Sequence, residues 1–416
     1  MSKYVLLAMG AVISCLIAAT VPTKFHKQPA SQPSIFDRNP HDISVKPIAP
    51  FLQNGIEWLA EAQMPNGGWG AGQHSLQHIR DPHAVQVDPA TTAFAAMALV
   101  RAGNTLTSGQ YASNVRTALD VILTMIENAP EGTNITSITG TQPQRKLGQN
   151  IDVAMASQFL TRIRSSLKDD EKLQKQIDDA IAVCVQKLEK GQNTNGSYAD
   201  GGWAPVLQSA MATNALERAS ASGYSVNVTK LRNAKNYQRK NIDAASGTVK
   251  AEDAAGISLY AIASSQRASA EEARRVRELL DGEIPIVWEE VPVEELEEHL
   301  ETRGVGKEEA QVLAEAYVVN RSANTQLQDD GILSGFGNNG GEEFLSYMMT
   351  SESMVSASAT DWDQWHAKVT NLLSSVQNQN GSWSGHHCIT SPVFCTAAVV
   401  LALTADRDPV REAVGN

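Results

Sequence analysis

The chain has 416 residues, 42% of them hydrophobic, and a net charge of −12. That length holds two or three ordinary domains or one large repeat domain, and the apolar fraction suffices for a sizeable core. A phosphate backbone demands a basic stripe; the acidity and the lack of any Lys/Arg cluster exclude nucleic acid as a partner.

Met1-Ser2-Lys3 precedes a mostly apolar run from Tyr4 to Val21, long enough for a spanning helix. Residues 1–24 read as a cleaved signal peptide or an uncleaved N-terminal anchor, which implies export and a membrane tether. Residues 25–44, with Pro29, Pro33 and Pro40, read as a linker, and 45–416 as one repeat domain.

The first predicted helix covers Phe51 to Ala62, with Ile56, Leu59 and Ala60 at helical spacing. It ends at Gln63-Met64-Pro65-Asn66-Gly67-Gly68-Trp69, and a loop with His74, His78 and His83 follows. Asp88-Pro89 opens a helix to Val100 that is nearly all apolar, hence buried on most sides. Val115 to Glu127 is amphipathic and outer. Asn150-Ile151-Asp152 starts a second inner helix to Ile163, and Glu171 to Lys190 is outer.

A second turn phrase, Gln192-Asn193-Thr194-Asn195-Gly196-Ser197-Tyr198 with Trp203 just after, precedes an inner helix opened by Pro205. Val228 to Arg239 is outer, and Glu252-Asp253 should cap an inner helix from Ala254 to Ser264. Residues 281–325, with an acidic run from Glu289 to Glu301, break the rhythm and read as an enlarged outer insertion. Glu342-Glu343 begins the next inner helix, Trp362 to Val376 is outer, and the third phrase, Gln377-Asn378-Gln379-Asn380-Gly381-Ser382-Trp383, precedes the apolar run Phe394 to Leu403.

Three Gln…Asn-Gly-…-aromatic turns, each between two helices, mark a helical repeat protein. They resemble the repeats of the terpenoid cyclase and protein prenyltransferase family over roughly residues 45–405. That resemblance implies an all-α (α/α)6 toroid of six helical hairpins, with inner helices starting at one rim near Asp88, Asp152, Pro205, Asp253, Glu342 and Pro392. It also implies a hydrophobic, isoprenoid-like ligand in a central cavity and a transferase- or cyclase-like reaction. Trp69, Trp203 and Trp383 are expected to be structural plugs.

At the shared rim Glu342, Glu343, Asp88 and Asp152 are candidate ligand-binding groups, although N-capping is the simpler role for the two aspartates. His386, His387, Cys388 and Cys395 are metal-ligand types within ten residues, and zinc is the metal they imply. A Cys388–Cys395 disulfide and a nucleophilic cysteine with a histidine base are the competing readings. Prenyltransferases of the family take zinc on Asp, Cys and His from the last two repeats; here Glu342 falls near the Asp position and Cys395 near the His, while Phe344 or Leu345 stands where the Cys belongs. The chain has no Asp-x-Asp-Asp proton-donor motif, since Asp169-Asp170 and Asp329-Asp330 lack its pattern, so the family's triterpene-cyclase mechanism is not expected. Two other functions remain open: a non-catalytic scaffold that binds a protein partner, and a polysaccharide-active toroid using paired carboxylates.

Overall fold

A computed structural model describes residues 45–198, 202–280, 291–337, 340–357 and 359–408. The expected N-terminal anchor and linker, and Ile284 to Trp288 of the insertion, lie outside the described residues. Those residues belong to the unit Pro40–Asn416. They form fifteen α-helices, with no strand among them. No helix among the described residues is long and apolar enough to cross a membrane.

Six helices form an inner ring: α2 (Pro89–Arg101), α5 (Ile151–Ser166), α7 (Pro205–Ala221), α9 (Ser258–Leu280), α13 (Gly341–Ala357) and α15 (Pro392–Leu403). Each packs on the next, and α15 packs back on α2, so the ring closes. Their composition dictates this place: every residue of α2 and of α15 is buried, a load only a helix surrounded by others can carry. Outside them run α1 (Pro50–Glu61), α3 (Ala112–Glu127), α6 (Glu171–Gly191), α8 (Val228–Arg239), α11 (Lys307–Gln326) and α14 (Ala359–Ser375). Helix α6 shows the outer pattern, burying only the stripe Leu173, Ile177, Ala180, Ile181, Cys184, Val185 and Leu188.

The three turn phrases form one device. Gln63 Nε2 donates to the carbonyls of Gly67 (2.7 Å) and Asn114 (2.9 Å). Gln192 repeats this with Gly196 (3.3 Å) and Lys230 (2.8 Å), and Gln377 with Gly381 (2.7 Å) and Phe51 (2.7 Å). The second acceptor always lies in the first turn of the next outer helix, α3, α8 or α1, so the amide ties each hairpin to its successor. Gly67, Gly196 and Gly381 sit at φ of 90°, 90° and 88°, where a side chain would be strained. A Cβ on Gly196 would lie 2.2 Å from the Asn233 carbonyl.

The plug follows. Trp69 N and Trp383 N donate to Thr92 and Thr396 hydroxyls on the following inner helices, and their indole N–H groups donate to Leu59 and Leu373 carbonyls. In the middle copy Tyr198 fills this place, its N–H donating to Ser209 Oγ. Trp203, expected to be a plug, is only half-buried and lies elsewhere.

Two further differences have physical causes. The helix expected from Ala254 begins at Ser258, because Glu252–Ala254 is a 3₁₀ turn and Ala255 takes a left-handed conformation (φ 54°). Asp253 therefore caps no inner helix; it accepts from the Tyr237 hydroxyl instead. The insertion carries α10 (Val293–Thr302) and α11, which share a small second core with the end of α9, including Val276, Leu296, Leu313 and Tyr317. Two short helices were not anticipated, α4 (Gln142–Leu147), opened by a Thr141–Gln144 capping box, and α12 (Asp330–Leu333).

Candidate functional site

The inner helices start at one rim, and hydrogen bonds between their N-termini prove the convergence. Ala90 N of α2 donates to Asp152 Oδ1 of α5 at 3.2 Å. Ile389 N, just before α15, donates to Glu342 Oε2 of α13 at 3.2 Å, and Gly341 N donates back to the Ile389 carbonyl at 3.0 Å. The Tyr260 hydroxyl of α9 donates to Glu343 Oε1 at 2.6 Å. Trp203 N and Ala204 N, ahead of α7, donate to the Lys146 carbonyl at the end of α4.

Asp88 and Asp152 are both fully buried and fully bonded. Asp88 caps α2 by accepting from Thr91 N and Thr91 Oγ1, and it also accepts from Ala71 N. Asp152 accepts from Ala90 N, Asn134 Nδ2 and Gln144 Nε2. Burial, with Asp88 alongside, pushes the Asp152 carboxyl up to about 7. Their lone pairs are spent on backbone and amide donors, which makes them architectural rather than ligand-facing groups.

Glu342 and Glu343 are different. Both are wholly buried, yet Glu342 Oε1 and Glu343 Oε2 have no hydrogen-bond partner among the described residues. Burial and the neighbouring Glu343 push the Glu342 carboxyl up to about 8, so it holds its proton at neutral pH. Glu343 Oε1 also accepts from Phe336 N at 3.0 Å. Above Gly340 the Glu343 carboxylate and the His387 ring share one space: a Cβ there would lie 2.4 Å from Glu343 Oε2 and 2.8 Å from His387 Cε1.

An aromatic chain runs beside these carboxyls. His387 meets Phe336 edge-on (centroids 5.1 Å apart), Phe336 meets Trp203 (5.7 Å), and Trp203 meets Tyr260 (6.3 Å). Lys146 Nζ stands 4.9 Å over the Trp203 ring. Phe336 is 52% exposed, an apolar ring left at the mouth. Next to Trp203 opens a cavity of about 490 Å³ lined by Gln73, His74, Ser75, Arg145 and Lys146. Burial and the charges of Lys146 and Arg145 lower the His74 pKa, the mark of a cationic wall. Lys146, Tyr260 and Phe336 escaped sequence reading because isolated Lys, Tyr and Phe residues carry no spacing signal.

The His386–Cys395 loop lies at this rim but does not assemble as expected. Cys388 and Cys395 are free thiols, so no disulfide joins them. Burial, with Glu342 beyond it, pushes the Cys388 thiol up to about 12, and burial raises Cys395 as well, so neither rests as the thiolate that a nucleophile requires. Cys395 Sγ donates to the Ile389 carbonyl at 3.6 Å, and His386 faces solvent. Only His387, with both ring nitrogens buried and unpartnered among the described residues, is turned to the site. Among the described residues no three His, Cys, Asp or Glu side chains converge as metal ligands. Cys388 adopts φ 60°, which bends the loop so that Gln77 Nε2 can reach its carbonyl.

No family model matches the chain, and no curated protein matches it. Among solved structures the chain is similar to a type II terpene cyclase from Scytonema in complex with merosterolic acid A, its product. Identity is 13%, over 86% of this chain and 96% of that one, with a TM-score of 0.31. The site is therefore read from its own geometry.

Proposed function

We propose that the N-terminal rim binds an apolar, isoprenoid-like ligand against Trp203, Phe336 and Tyr260, and that Glu342 acts on it as a proton donor. The observation that carries this reading is Glu342 itself: a buried carboxyl with one unpartnered oxygen beside a row of π faces. Its proton would pass to an alkene carbon of the ligand, and the cation so formed would meet the faces of Trp203 and Tyr260. Loss of a proton from a neighbouring carbon to the Glu342 carboxylate would restore the acid. Arg145 and Lys146 beside Trp203 suit an acidic head group.

The test is incubation of the protein in deuterated water with a polyprenyl alcohol and its diphosphate, reading deuterium uptake and isomerised product by mass spectrometry. Glu342→Gln should cut labelling by at least about a hundredfold while leaving binding intact. Equal labelling by the variant and the parent protein would remove Glu342 from the chemistry, and failure of either ligand to bind would remove the isoprenoid reading.

A protein-binding scaffold is the second reading, favoured by the complete burial of α2 and α15, which leaves their share of the ring centre filled. It would keep the rim as the contact surface and leave Glu342→Gln without effect on any partner. The polysaccharide reading has no support in the geometry, because Asp88 and Asp152 are consumed by hydrogen bonds and Glu342 and Glu343 are adjacent on one helix. Export with an N-terminal tether belongs to this proposal on the strength of the run from Tyr4 to Val21 alone. Membrane fractionation of the full chain against one lacking residues 1–24 tests it.

A further inference from the structure

Beside the rim, segments distant in sequence build the walls of one cavity. His74 N donates to the Gly140 carbonyl at 2.9 Å, which lays residues 73–75 against the chain just ahead of α4. Trp203 N and Ala204 N donate to the Lys146 carbonyl at 3.0 and 3.1 Å, which fixes the opposite wall at the end of α4. The walls approach closely: a Cβ on Gly140 would lie 2.8 Å from Gln73 Oε1, and one on Gly202 would lie 2.7 Å from Gly148 N. Between them opens the cavity of about 490 Å³ beside Trp203, a size usual for small-molecule sites.

Its charge is one-sided. Arg145 and Lys146 line it, and among the described residues no acidic side chain does. Arg145 joins no ion pair and donates no side-chain hydrogen bond among the described residues. Lys146 has no carboxylate at ion-pair distance among them either; its neighbours are the Trp203 ring, 4.9 Å away, and the Cys388 thiol. The chain carries 46 acidic and 34 basic residues, so counter-charges are plentiful, and two cations left unpaired in one concavity belong to the site rather than to the composition. His74 lines the same cavity, and its Nδ1 is buried without a hydrogen-bond partner among the described residues. A guanidinium fork and an ammonium point charge are the groups that suit phosphoryl oxygens, and two positive charges match a divalent oxyanion better than a monovalent carboxylate.

We propose that this cavity binds a phosphoryl group, a phosphate monoester or a diphosphate, on Arg145 and Lys146 with His74 as a third contact. Trp203 is the wall shared with the rim, so an apolar chain carried by the phosphoryl group would run along Trp203 toward Phe336. That course of the chain rests on the ligand reading proposed above, whereas the phosphoryl site stands without it.

Calorimetric titration of the full-length protein with inorganic pyrophosphate, which has neither alkene nor tail, tests the site apart from any chemistry at Glu342. Saturable binding should weaken roughly tenfold in Arg145→Gln and by a similar factor in Lys146→Gln. Lys172→Gln, at an exposed position of outer helix α6, should bind as the unaltered protein does. Arg145 is exposed and holds no other group, so Arg145→Gln should keep its melting temperature, which separates lost binding from lost folding. A second titration compares octyl phosphate with octanoate. Tighter binding of octyl phosphate than of pyrophosphate assigns the phosphoryl group to the head of an apolar ligand; the reverse order assigns it to a free diphosphate, and both support the site. Octanoate binding as tightly as octyl phosphate overturns the phosphoryl assignment. No saturable binding of either phosphate compound, or equal binding by the unaltered protein and both variants, overturns the site itself.

Discussion

Gln377 Nε2 donates to the Phe51 carbonyl at 2.7 Å, across 326 residues of chain. The same amide bond joins successive hairpins at Gln63 and Gln192, so the ring is closed by the device that builds it. Removing the Gln377 side chain leaves two carbonyls without their donor, and Gln377→Ala should cost about 1–3 kcal/mol in chemical denaturation. Hydrogen exchange should rise in α1 for this variant and not for Gln192→Ala. Unchanged exchange in α1 would mean that apolar packing alone closes the ring.

The three tryptophans near the turn phrases should separate into two classes. Trp69 and Trp383 are fully buried with their indole N–H groups bonded, and replacing either by Ala should cost about 3–5 kcal/mol. Trp203 lines a cavity and is half-buried, so Trp203→Ala should cost roughly 1 kcal/mol and instead weaken ligand binding at the rim. Comparing denaturation midpoints with ligand titration of the same variants decides between these roles.

At the far ends of the inner helices Arg101, Arg162 and Arg218 close on Glu352 and Asp408, and this buried cluster should make the protein acid-labile. Burial alone would raise Glu352, but Arg101, Arg218, Arg162 and Arg267 outweigh it and hold its carboxyl at about 2; Asp408 is likewise held well below the usual carboxylate range. Both acids bind fewer protons folded than unfolded, so their stabilisation is present above the unfolded carboxylate range, about 4, and is lost as pH falls toward 2. Asp408→Asn leaves guanidinium charges uncompensated and should cost about 3–5 kcal/mol near pH 7, with a flatter acid limb in a pH series of melting curves.

Glu342 works in the opposite direction. Its folded pKa lies near 8, against an ordinary value of 4.5, so the folded state holds a proton that the unfolded state has lost. Stability should therefore fall as pH rises through that window, by about 1.4 kcal/mol for each unit of the difference. Glu342→Gln should flatten this slope and be relatively more stable at pH 8 than at pH 5. An unchanged slope would show that the carboxyl is ionised in the folded protein.

The phrases around Gly67, Gly196 and Gly381 and the apolar runs of α2 and α15 could be read directly, because turn chemistry and all-round burial are local properties of a sequence. They determine an all-helical repeat ring and the place of its rim. The candidate site was legible only in part: Glu342, Glu343 and His387 stand out at a helix start and a loop, but the rings of Trp203, Tyr260 and Phe336 meet only through folding. His386, Cys388 and Cys395 are close in sequence, yet His386 faces solvent and the two thiols are buried and free, since proximity in sequence does not set the direction of a side chain.

Sequence alone placed most of the long helices and showed which of them lie inside, but not the short α4 and α12 or the start of α9. Tertiary structure decided which charges meet. Arg101, Arg162 and Arg218 each sit near the end of an inner helix, where a basic residue ordinarily reaches solvent and favours the helix dipole. Only closure of the ring drives them onto Glu352 and Asp408, and burial beside Glu343 keeps the Glu342 proton at neutral pH. Helix formation depends on neighbours a few residues away, whereas the energy of a charge depends on everything within several ångströms, whatever its position in the chain.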